Sequence, residues 1–243
     1  MITAIIQART WSTRLPNKIF AKIKGKPLIW HIVDRINKSK YIQEIVVATT
    51  TNTNDNEIEK WCKENNTKVF RWDEDDVLSR YYHAAVASKA TTIVRITADD
   101  PFKDPEIIDK VIEIYQNNNL DFAYNNKPPT FPEGLDTEIF SFGALEKAFI
   151  ESKDVFEREH VTQYFYRNPD KFKQMNWKND IDLSYCRRTI DTDDDLTMAR
   201  EVYENLYKEW KIFLMKDIIK LLKEKPNIAT LNAKVKRSFM YKK

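Results

Sequence analysis

The residues that decide the fold stand at the start of the chain, where an apolar run, ITAIIQ at 2–7, leads directly into ARTWSTRLPNK at 8–18. The apolar run is rich in β-branched residues and predicts a buried strand over about 3–6. The second stretch predicts a loop with three cations, Arg9, Arg14 and Lys18. Such a loop lies beyond the carboxyl end of its strand, where open α/β sheets bind their ligands.

This cationic loop, residues 8–18, has a composition that suits a triphosphate. Ser12 and Thr13 add hydroxyl groups to the three cations, and free backbone amides can also donate to phosphate oxygens. Exposed cations are often only a solvated surface, but the position after the first strand favours phosphate binding. The chain has three glycines, so G-x-G-x-x-G and G-x-x-x-x-G-K-[ST] are both excluded. A Rossmann dehydrogenase or a P-loop ATPase is therefore not expected.

The composition is that of one globular domain. A chain of 243 residues can bury a single main core, and 42% hydrophobic with 12% aromatic residues argues against disorder. The formal charge of +3 is too small to indicate a general nucleic-acid binder. We expect one domain over residues 1–243 that binds no nucleic acid.

The chain shows no signal for export or for membrane insertion. Cys62 and Cys186 lack metal-type spacing, and no charged-then-apolar leader follows Met1. The longest apolar stretch, around 212–222, is interrupted by charges and falls short of the roughly 20 residues that a membrane span needs. We expect a cytoplasmic protein that is not inserted in a membrane.

Short β-branched runs alternate with helical patterns through the first half of the chain, which predicts a mostly parallel sheet with helices on its faces. The predicted strands cover residues 3–6, 44–49, 68–70 and 91–97. Helices are predicted after Pro27, after Asp76 and after Asp104.

In the second half, clustered prolines at 128, 129 and 132 predict a long loop, and we expect residues 125–187 to form an insertion between sheet elements. The patterns there predict a strand over 137–140 and helices over 144–150 and 159–166. A strand over 188–190 should follow, and then a helix. A helical tail over 211–243, amphipathic near 217–223, is expected to pack on the domain or on a second subunit of a homodimer.

Acidic residues follow two of the predicted strands. Asp99 and Asp100 come after the strand at 91–97, and Asp191 comes after the strand at 188–190. These strand ends should meet the cationic loop at one edge of the sheet. Because Mg²⁺ takes one or two carboxylates together with phosphate oxygens, we expect it to bind Asp99 and Asp191. Asp194 and Asp195 are expected to cap the helix that follows.

Several short motifs occur in a fixed order over about residues 1–210. They are IQAR at 6–9, STRLP at 12–16 with Lys18, GKPL at 25–28, VAT at 47–49, RITAD at 95–99, GLD at 134–136, and DT at 191–192 with DL at 195–196. In this order they resemble the cytidylyltransferase family, and in particular the branch called spore coat polysaccharide biosynthesis protein F. That branch is related to CMP-Kdo and CMP-sialic acid synthetases. A chance match would not preserve the order.

The resemblance implies a GT-A-like (Rossmann-like) three-layer α/β/α sandwich with a mostly parallel sheet, in which the insertion forms the acceptor side. It also implies CTP as the nucleotide and one Mg²⁺ held by Asp99 and Asp191. The nucleotide-binding residues would be Ala8, Arg9, Ser12, Thr13, Arg14, Lys18, Thr49 and Asp99, with Ala8 and Thr49 near the base. Those expected to carry catalysis are Arg9, Arg14, Lys18 and Asp99.

Two clusters in the insertion resemble acceptor-binding segments of the same family. Asp136 and Glu138 are expected to bind sugar hydroxyls, and Arg158 and His160 are expected to bind an acceptor carboxylate or phosphate. For the second cluster, a solvated helix start with a hydrogen-bonded histidine is the alternative.

Together these features predict a Mg²⁺-dependent nucleotidyltransferase that couples a nucleoside monophosphate to an acidic sugar or sugar phosphate and releases pyrophosphate. Its products would serve surface polysaccharide or glycan biosynthesis. The residues alone leave guanylyl or uridylyl transfer open. Two other functions also stay open: a GT-A-type glycosyltransferase, which the three cations disfavour, and a non-catalytic nucleotide-sugar binding protein in which Trp11 disables the loop.

Overall fold

The first strand lies inside a mixed sheet in a computed structural model that describes residues 1–236. Nine strands are assigned in this range: β1 Ile2–Gln7, β2 Lys22–Ile23, β3 Lys26–Pro27, β4 Glu44–Thr50, β5 Lys68–Trp72, β6 Thr92–Thr97, β7 Phe122–Tyr124, β8 Glu138–Ser141 and β9 Gln174–Asn176. Seven of these form one sheet in the order β5-β4-β1-β6-β8-β7-β9, and β2 pairs with β3. Strand β8 is antiparallel to β6 and β7, and the remaining pairs in the large sheet are parallel.

The helices cover both faces of this sheet. Within the described residues they are α1 Leu28–Ile36, α2 Asn56–Glu64, α3 Val77–Ser88, α4 Pro105–Asn117, α5 Phe142–Glu151, α6 Val155–Glu159, α7 Gln163–Arg167, α8 Asp193–Leu206, α9 Met215–Glu224 and α10 Pro226–Thr230. Alternate residues of a strand point to opposite faces, so Ala4 and Ile6 pack in one core cluster and Ile5 packs in the other. The predicted three-layer α/β/α sandwich with a mostly parallel sheet is confirmed.

The helix starts follow the predicted capping chemistry. Asp76 accepts a hydrogen bond from the amide of Ser79 at the start of α3, and Asp104 accepts from the amide of Glu106 at the start of α4. At α8 the N-cap is Thr192, which exchanges capping bonds with Asp195, so of the two aspartates expected to cap this helix Asp195 does and Asp194 lies in the first turn without a capping bond among the described residues. Short polar side chains next to apolar periodicity were therefore reliable signals for where these helices begin.

Two predicted elements are wrong. The helix expected over 159–166 is split into α6 and α7, because Val161 has a positive φ of 47° that interrupts it. The strand expected over 188–190 is an extended segment outside the sheet. Its amides bond to single loop carbonyls, Arg188 to Glu133 and Ile190 to Asp99, each at 2.8 Å, rather than to a neighbouring strand.

The segment expected to be an insertion, residues 125–187, contributes β8 and β9 to the large sheet, and β8 lies between β6 and β7. The expected C-terminal tail contains α9 and α10 as far as it is described, and residues 237–243 lie outside the described range. Within residues 1–236, no helix has the length and apolar character needed to cross a membrane.

Candidate active site

A cleft of about 730 Å³ opens where β1 and β6 end, at the carboxyl edge of the parallel strands. Its walls come from the cationic loop, the end of β6, the loop after β5, and helix α6 with its C-terminal residue. The lining residues are Gln7, Ala8, Arg9, Trp11, Ser12, Thr13, Arg14, Lys18, Ile19, Glu74, Asp75, Val77, Arg80, Thr97, Ala98, Asp99, Val155, Glu159, His160 and Asp191. The predicted nucleotide residues therefore share one cleft, with the exception of Thr49.

Lys18 lies between the two predicted metal carboxylates. Its Nζ donates to Asp191 Oδ1 at 2.8 Å, to the carbonyl of Ile190 at 2.8 Å, and to Asp99 Oδ2 at 3.3 Å. The side chain is 15% exposed. Burial by itself would lower the pKa of Lys18, but the charges of Asp99 and Asp191 outweigh it and raise the pKa, so the ammonium stays charged.

Asp191 is the most heavily contacted acid at the cleft. Lys18 bonds to Oδ1, whereas Arg14 Nη2 at 3.0 Å and Arg187 Nη2 at 2.7 Å contact Oδ2. Burial of this side chain, which is 13% exposed, opposes ionisation, and the surrounding cations overcome it and hold the pKa of Asp191 at about 2. Asp191 is therefore a permanent anion at neutral pH.

The neighbouring acids Asp99 and Asp100 have different surroundings. Asp99 faces the cleft with 28% of its side chain exposed. Asp100 points inward, where Lys103 Nζ and Thr97 Oγ1 both contact its Oδ2 at 2.8 Å. Burial raises the pKa of Asp100 to about 6 in spite of the Lys103 charge. Asp99 lines the cleft, and Asp100 is not among the lining residues in the described part of the chain.

The outer wall of the cleft carries Arg9 and Trp11. The Arg9 guanidinium lies 5.4 Å from the centre of the Trp11 ring, and one of its nitrogens is 3.8 Å from Glu74. Trp11 is 55% exposed. The indole therefore forms a rim against which Arg9 stacks, and it leaves the inner cations accessible from the cleft.

Thr49 does not reach this cleft in the described part of the chain. It is fully buried, and its Oγ1 donates to Asp55 Oδ2 at 3.0 Å. Asp55 also accepts from the backbone amide and hydroxyl of Thr10, at 2.8 and 2.7 Å, and from the hydroxyl of Thr50 at 2.6 Å. These bonds tie the start of the cationic loop to the end of β4. The structure thus gives Thr49 a contact with Asp55, where a contact with the base was expected.

The predicted acceptor residues are dispersed. His160 lines the cleft. Glu138 is buried below it, where Arg95 Nη1 at 2.6 Å, Tyr166 Oη at 2.7 Å and Thr162 Oγ1 at 2.9 Å occupy its oxygens. Asp136 is partly buried, and Lys103 donates to its carbonyl.

Arg158 also lies away from the lining of the cleft as described. Its guanidinium pairs with Asp76, with a 2.7 Å bond from Nε, and donates to the carbonyls of Phe149 and Ser152. These contacts fix α6 against the start of α3. Of the four residues predicted for the acceptor, His160 is the one that the structure brings to the cleft lining.

Sequence reasoning missed several residues at the site, among them Asp55, Arg80 and Arg187. Arg80 lines the cleft, is 3% exposed, and donates from Nη1 to the carbonyl of Asp73 at 2.8 Å. Its buried Nε has no hydrogen-bond partner among the described residues. Asp55 and Arg187 each also bind a residue far along the chain, Thr10 and Glu133, and no local pattern reveals those contacts.

The carboxylates at the cleft can be matched to the needs of a metal ion. Among residues 1–236, no cluster of three or more His, Cys, Asp or Glu side chains is arranged to hold a metal. Mg²⁺, however, needs one or two protein carboxylates when substrate phosphates supply other oxygens. Asp99 and Asp191 already contact one shared cation, the Lys18 ammonium. Their spacing and chemistry therefore fit a magnesium ion that binds together with phosphate.

Comparison with known proteins gives consistent matches over nearly the whole chain. A family model described as Cytidylyltransferase matches residues 3–237. The spore coat polysaccharide biosynthesis protein SpsF of Bacillus subtilis is 29% identical over 94% of this chain and 97% of its own length. A 3-deoxy-manno-octulosonate cytidylyltransferase of Geobacter sulfurreducens is 36% identical over 76% of this chain and 69% of its own length.

The solved structures agree with the sequence matches. The structure of a cytidylyltransferase from Leptospira borgpetersenii superposes with a TM-score of 0.90 at 32% identity, covering 98% of both chains. A match of this extent includes the sheet, both helical layers and the segment around Asp191.

Proposed function

Because this chain belongs to the cytidylyltransferase family and is a nucleotidyltransferase, we propose that it transfers CMP from CTP to an acidic sugar or sugar phosphate, with release of pyrophosphate. The observation that carries the proposal is the meeting of Lys18 with Asp99 and Asp191 in a cleft that Arg9 and Arg14 also line. An acceptor oxygen attacks the α-phosphorus of CTP, and the bond between that phosphorus and the bridging oxygen of the pyrophosphate breaks.

The cations support the phosphate part of this reaction. Arg9, Arg14 and Lys18 place three positive charges in the cleft, where they would offset much of the negative charge of a triphosphate. In phosphoryl and nucleotidyl transfer, the protein contributes mainly by positioning and charge neutralisation. Each well-placed cation can lower the barrier by roughly 3 kcal/mol.

Magnesium fits the acids of the site. Asp99 and Asp191 would hold Mg²⁺, and the ion would neutralise charge that develops on the phosphate oxygens when the leaving pyrophosphate departs. Lys18 now lies between the same carboxylates. When a nucleotide enters, this ammonium can turn from the carboxylates toward the phosphates, because its long side chain has several rotatable bonds.

The acceptor class is supported by the relatives and by two further hydrogen-bond donors that line the cleft. The Geobacter sulfurreducens relative is named for 3-deoxy-manno-octulosonate, a sugar acid. His160 and the buried guanidinium of Arg80 line the same cleft in this chain. Both side chains can donate hydrogen bonds to a carboxylate or phosphate. A surface polysaccharide or glycan pathway is the use that such an activated sugar would have.

The test is a pyrophosphate assay with purified protein, MgCl₂, each of the four nucleoside triphosphates, and a panel of neutral sugars, sugar acids and sugar phosphates. We expect pyrophosphate with CTP and an acidic acceptor, together with a CMP-linked product by mass spectrometry. Release with a neutral sugar alone, or with another triphosphate in preference to CTP, would contradict the proposal. Lys18→Ala is the matched inactive control.

A further inference from the structure

We propose that Arg187 is a positioning residue that fixes the Asp191 carboxylate for magnesium and connects it to the loop at 133–136. This inference rests on the proposed function, since it concerns how the same site holds its metal. Arg187 is not among the residues that line the cleft in the described part of the chain. It would therefore act through Asp191 and not by touching substrate.

The guanidinium of Arg187 is 5% exposed and is surrounded by carboxylates. Nη1 lies 2.6 Å from Glu133 Oε1, and Nη2 lies 2.7 Å from Asp191 Oδ2. Asp195 accepts hydrogen bonds from Arg187 Nε at 3.0 Å and from Arg187 Nη2 at 3.2 Å. A planar guanidinium with fixed donors can hold several carboxylates in defined directions, which a lysine ammonium cannot do.

The same cluster also fixes the backbone at Asp191. Asp195 Oδ2 accepts from the amide of Asp191 at 3.0 Å and from the amide of Thr192 at 3.1 Å. Asp195 is fully buried, and Asn232 donates to its other oxygen at 2.9 Å. The backbone of Asp191 is therefore held by Asp195, and its side chain is held by Arg187, which is itself bound to Asp195.

On its other side, Arg187 reaches the loop that continues into the predicted acceptor residue Asp136. Glu133 exchanges backbone hydrogen bonds with this segment, donating to the Cys186 carbonyl at 3.0 Å and accepting from Arg188 at 2.8 Å. Gly134 lies so close that a Cβ there would be 2.8 Å from the carbonyl of Arg188. The loop and the Asp191 segment are therefore packed and hydrogen-bonded together, with Arg187 as the charged link between them.

The arrangement gives Asp191 two kinds of cation. Lys18 and Arg14 belong to the cationic loop and are free to turn to phosphate, whereas Arg187 has no access to the cleft in the described structure. Arg187 consequently keeps Asp191 oriented after the loop cations leave it. Without Arg187, the carboxylate would rotate, and magnesium would lose a preformed ligand.

The experiment is calorimetric titration of CTP, without acceptor, at a series of magnesium concentrations. For Arg187→Lys we expect the magnesium concentration that gives half of the full affinity gain to rise at least tenfold, while CTP binding without magnesium stays within about twofold of wild type. Arg35→Lys is the matched control. Arg35 is an equally buried arginine that donates to the carbonyls of Lys103 and Phe213, and its variant should keep the wild-type magnesium dependence.

A second comparison tests whether the effect passes through Asp191. In an Asp191→Asn background, Arg187→Lys should change the magnesium dependence by less than twofold, because the carboxylate that it orients is gone. Glu133→Gln frees one end of the guanidinium and should shift the magnesium midpoint in the same direction by a smaller factor. This variant also serves as the test if Arg187→Lys does not fold.

The outcomes separate the two proposals. Wild-type protein that binds CTP with magnesium, together with variants at 187 and 133 that titrate like wild type, would overturn the role of Arg187 and leave the proposed function intact. An equal loss of CTP affinity with and without magnesium would also overturn it, since that result indicates general loosening. Wild-type protein that binds no CTP at any magnesium concentration would overturn both.

Discussion

Lys18 Nζ and Asp191 Oδ1 lie 2.8 Å apart although 173 positions separate the two residues in the chain. The lysine comes from the loop after β1, and the aspartate comes from the extended segment before α8. Their contact brings the two predicted halves of the site together, the phosphate cations and the metal carboxylates. Both are ionised in this contact, because the pKa of Lys18 is raised and that of Asp191 is about 2.

Lys18→Ala should lower kcat/KM for the nucleotide by roughly 100-fold or more, because it removes a charge-assisted contact to the phosphates. The measurement is steady-state pyrophosphate release at saturating acceptor. The fold should be retained, as judged by circular dichroism and thermal unfolding.

Lys24→Ala is the control for that variant. Lys24 follows β2 and pairs with Glu204 at 2.9 Å on an exposed surface away from the cleft lining. It should leave kcat/KM unchanged. A Lys18→Ala enzyme with wild-type kcat/KM would mean that the cationic loop does not bind the transferred phosphates.

Asp99→Asn should raise the magnesium concentration needed for half-maximal activity and reduce the maximal rate by about 100-fold or more, since it removes an anionic metal ligand. Magnesium titrations of pyrophosphate release give both quantities. Asp99 faces the cleft, whereas its neighbour Asp100 is bound to Lys103.

Asp100→Asn separates a metal ligand from a buried structural acid. It should lower thermal stability, because Lys103 loses its charged partner, and it should leave the magnesium midpoint within about twofold of wild type. If Asp100→Asn shifted the magnesium midpoint as strongly as Asp99→Asn, the assignment of Asp99 as the metal carboxylate would be wrong.

Asp55→Asn should weaken the anchor of the cationic loop. An amide in place of the carboxylate sets an N–H group against the donors of Thr10, Thr49 or Thr50, so we expect a loss of about 3 kcal/mol in unfolding free energy and a higher KM for CTP. Urea unfolding and nucleotide saturation curves measure these effects.

The stability of wild type and of Asp55→Asn should depend differently on pH. Burial opposes ionisation of Asp55, but hydrogen bonds from Thr50, Thr10 and Thr49 outweigh it, and they hold the pKa below the ordinary 3.8. A depressed pKa stabilises the fold above the unfolded value, and this stabilisation is lost as the pH falls through the folded value. Below about pH 4, wild type should therefore lose stability more steeply than Asp55→Asn. Parallel curves would show that Asp55 does not carry this stabilisation.

His160→Ala should raise the KM for the acceptor about tenfold and leave CTP binding unchanged, because His160 lines the cleft from the end of α6 and is not part of the cationic loop. Kinetics at saturating CTP with a varied sugar acid provide the measurement. A change in CTP affinity with no change in acceptor KM would place His160 at the nucleotide instead.

Glu138→Gln tests a predicted acceptor residue that the structure buries, in contrast to His160, which lines the cleft. Glu138 forms a buried pair with Arg95, so its replacement should cost about 3 kcal/mol of unfolding free energy by leaving the guanidinium without its anion. If Glu138→Gln kept wild-type stability but lost acceptor binding, a direct contact with sugar hydroxyls would be indicated after all.

Local patterns in the sequence determined most of the sheet and its helices. Strands β1, β4, β5 and β6 follow from β-branched runs, and α3 and α4 follow from capping aspartates before apolar periodicity. These signals are local, since each depends on residues within a few positions. The short strands β7 and β9 have three residues each and carry too little pattern to be seen.

For the site, the sequence predicted that Lys18, Asp99 and Asp191 share one edge of the sheet, and all three line the cleft there, although Asp191 follows an extended segment and not a strand. Only the tertiary structure decided which partner each charge takes. Asp99 faces the cleft and Asp100 the interior, Thr49 binds Asp55, and Arg187 holds Asp191 from behind. The partners of a side chain depend on which segments packing brings together. Two neighbouring residues can also point in opposite directions, one to the cleft and one to the interior. Local patterns in the sequence do not contain this information.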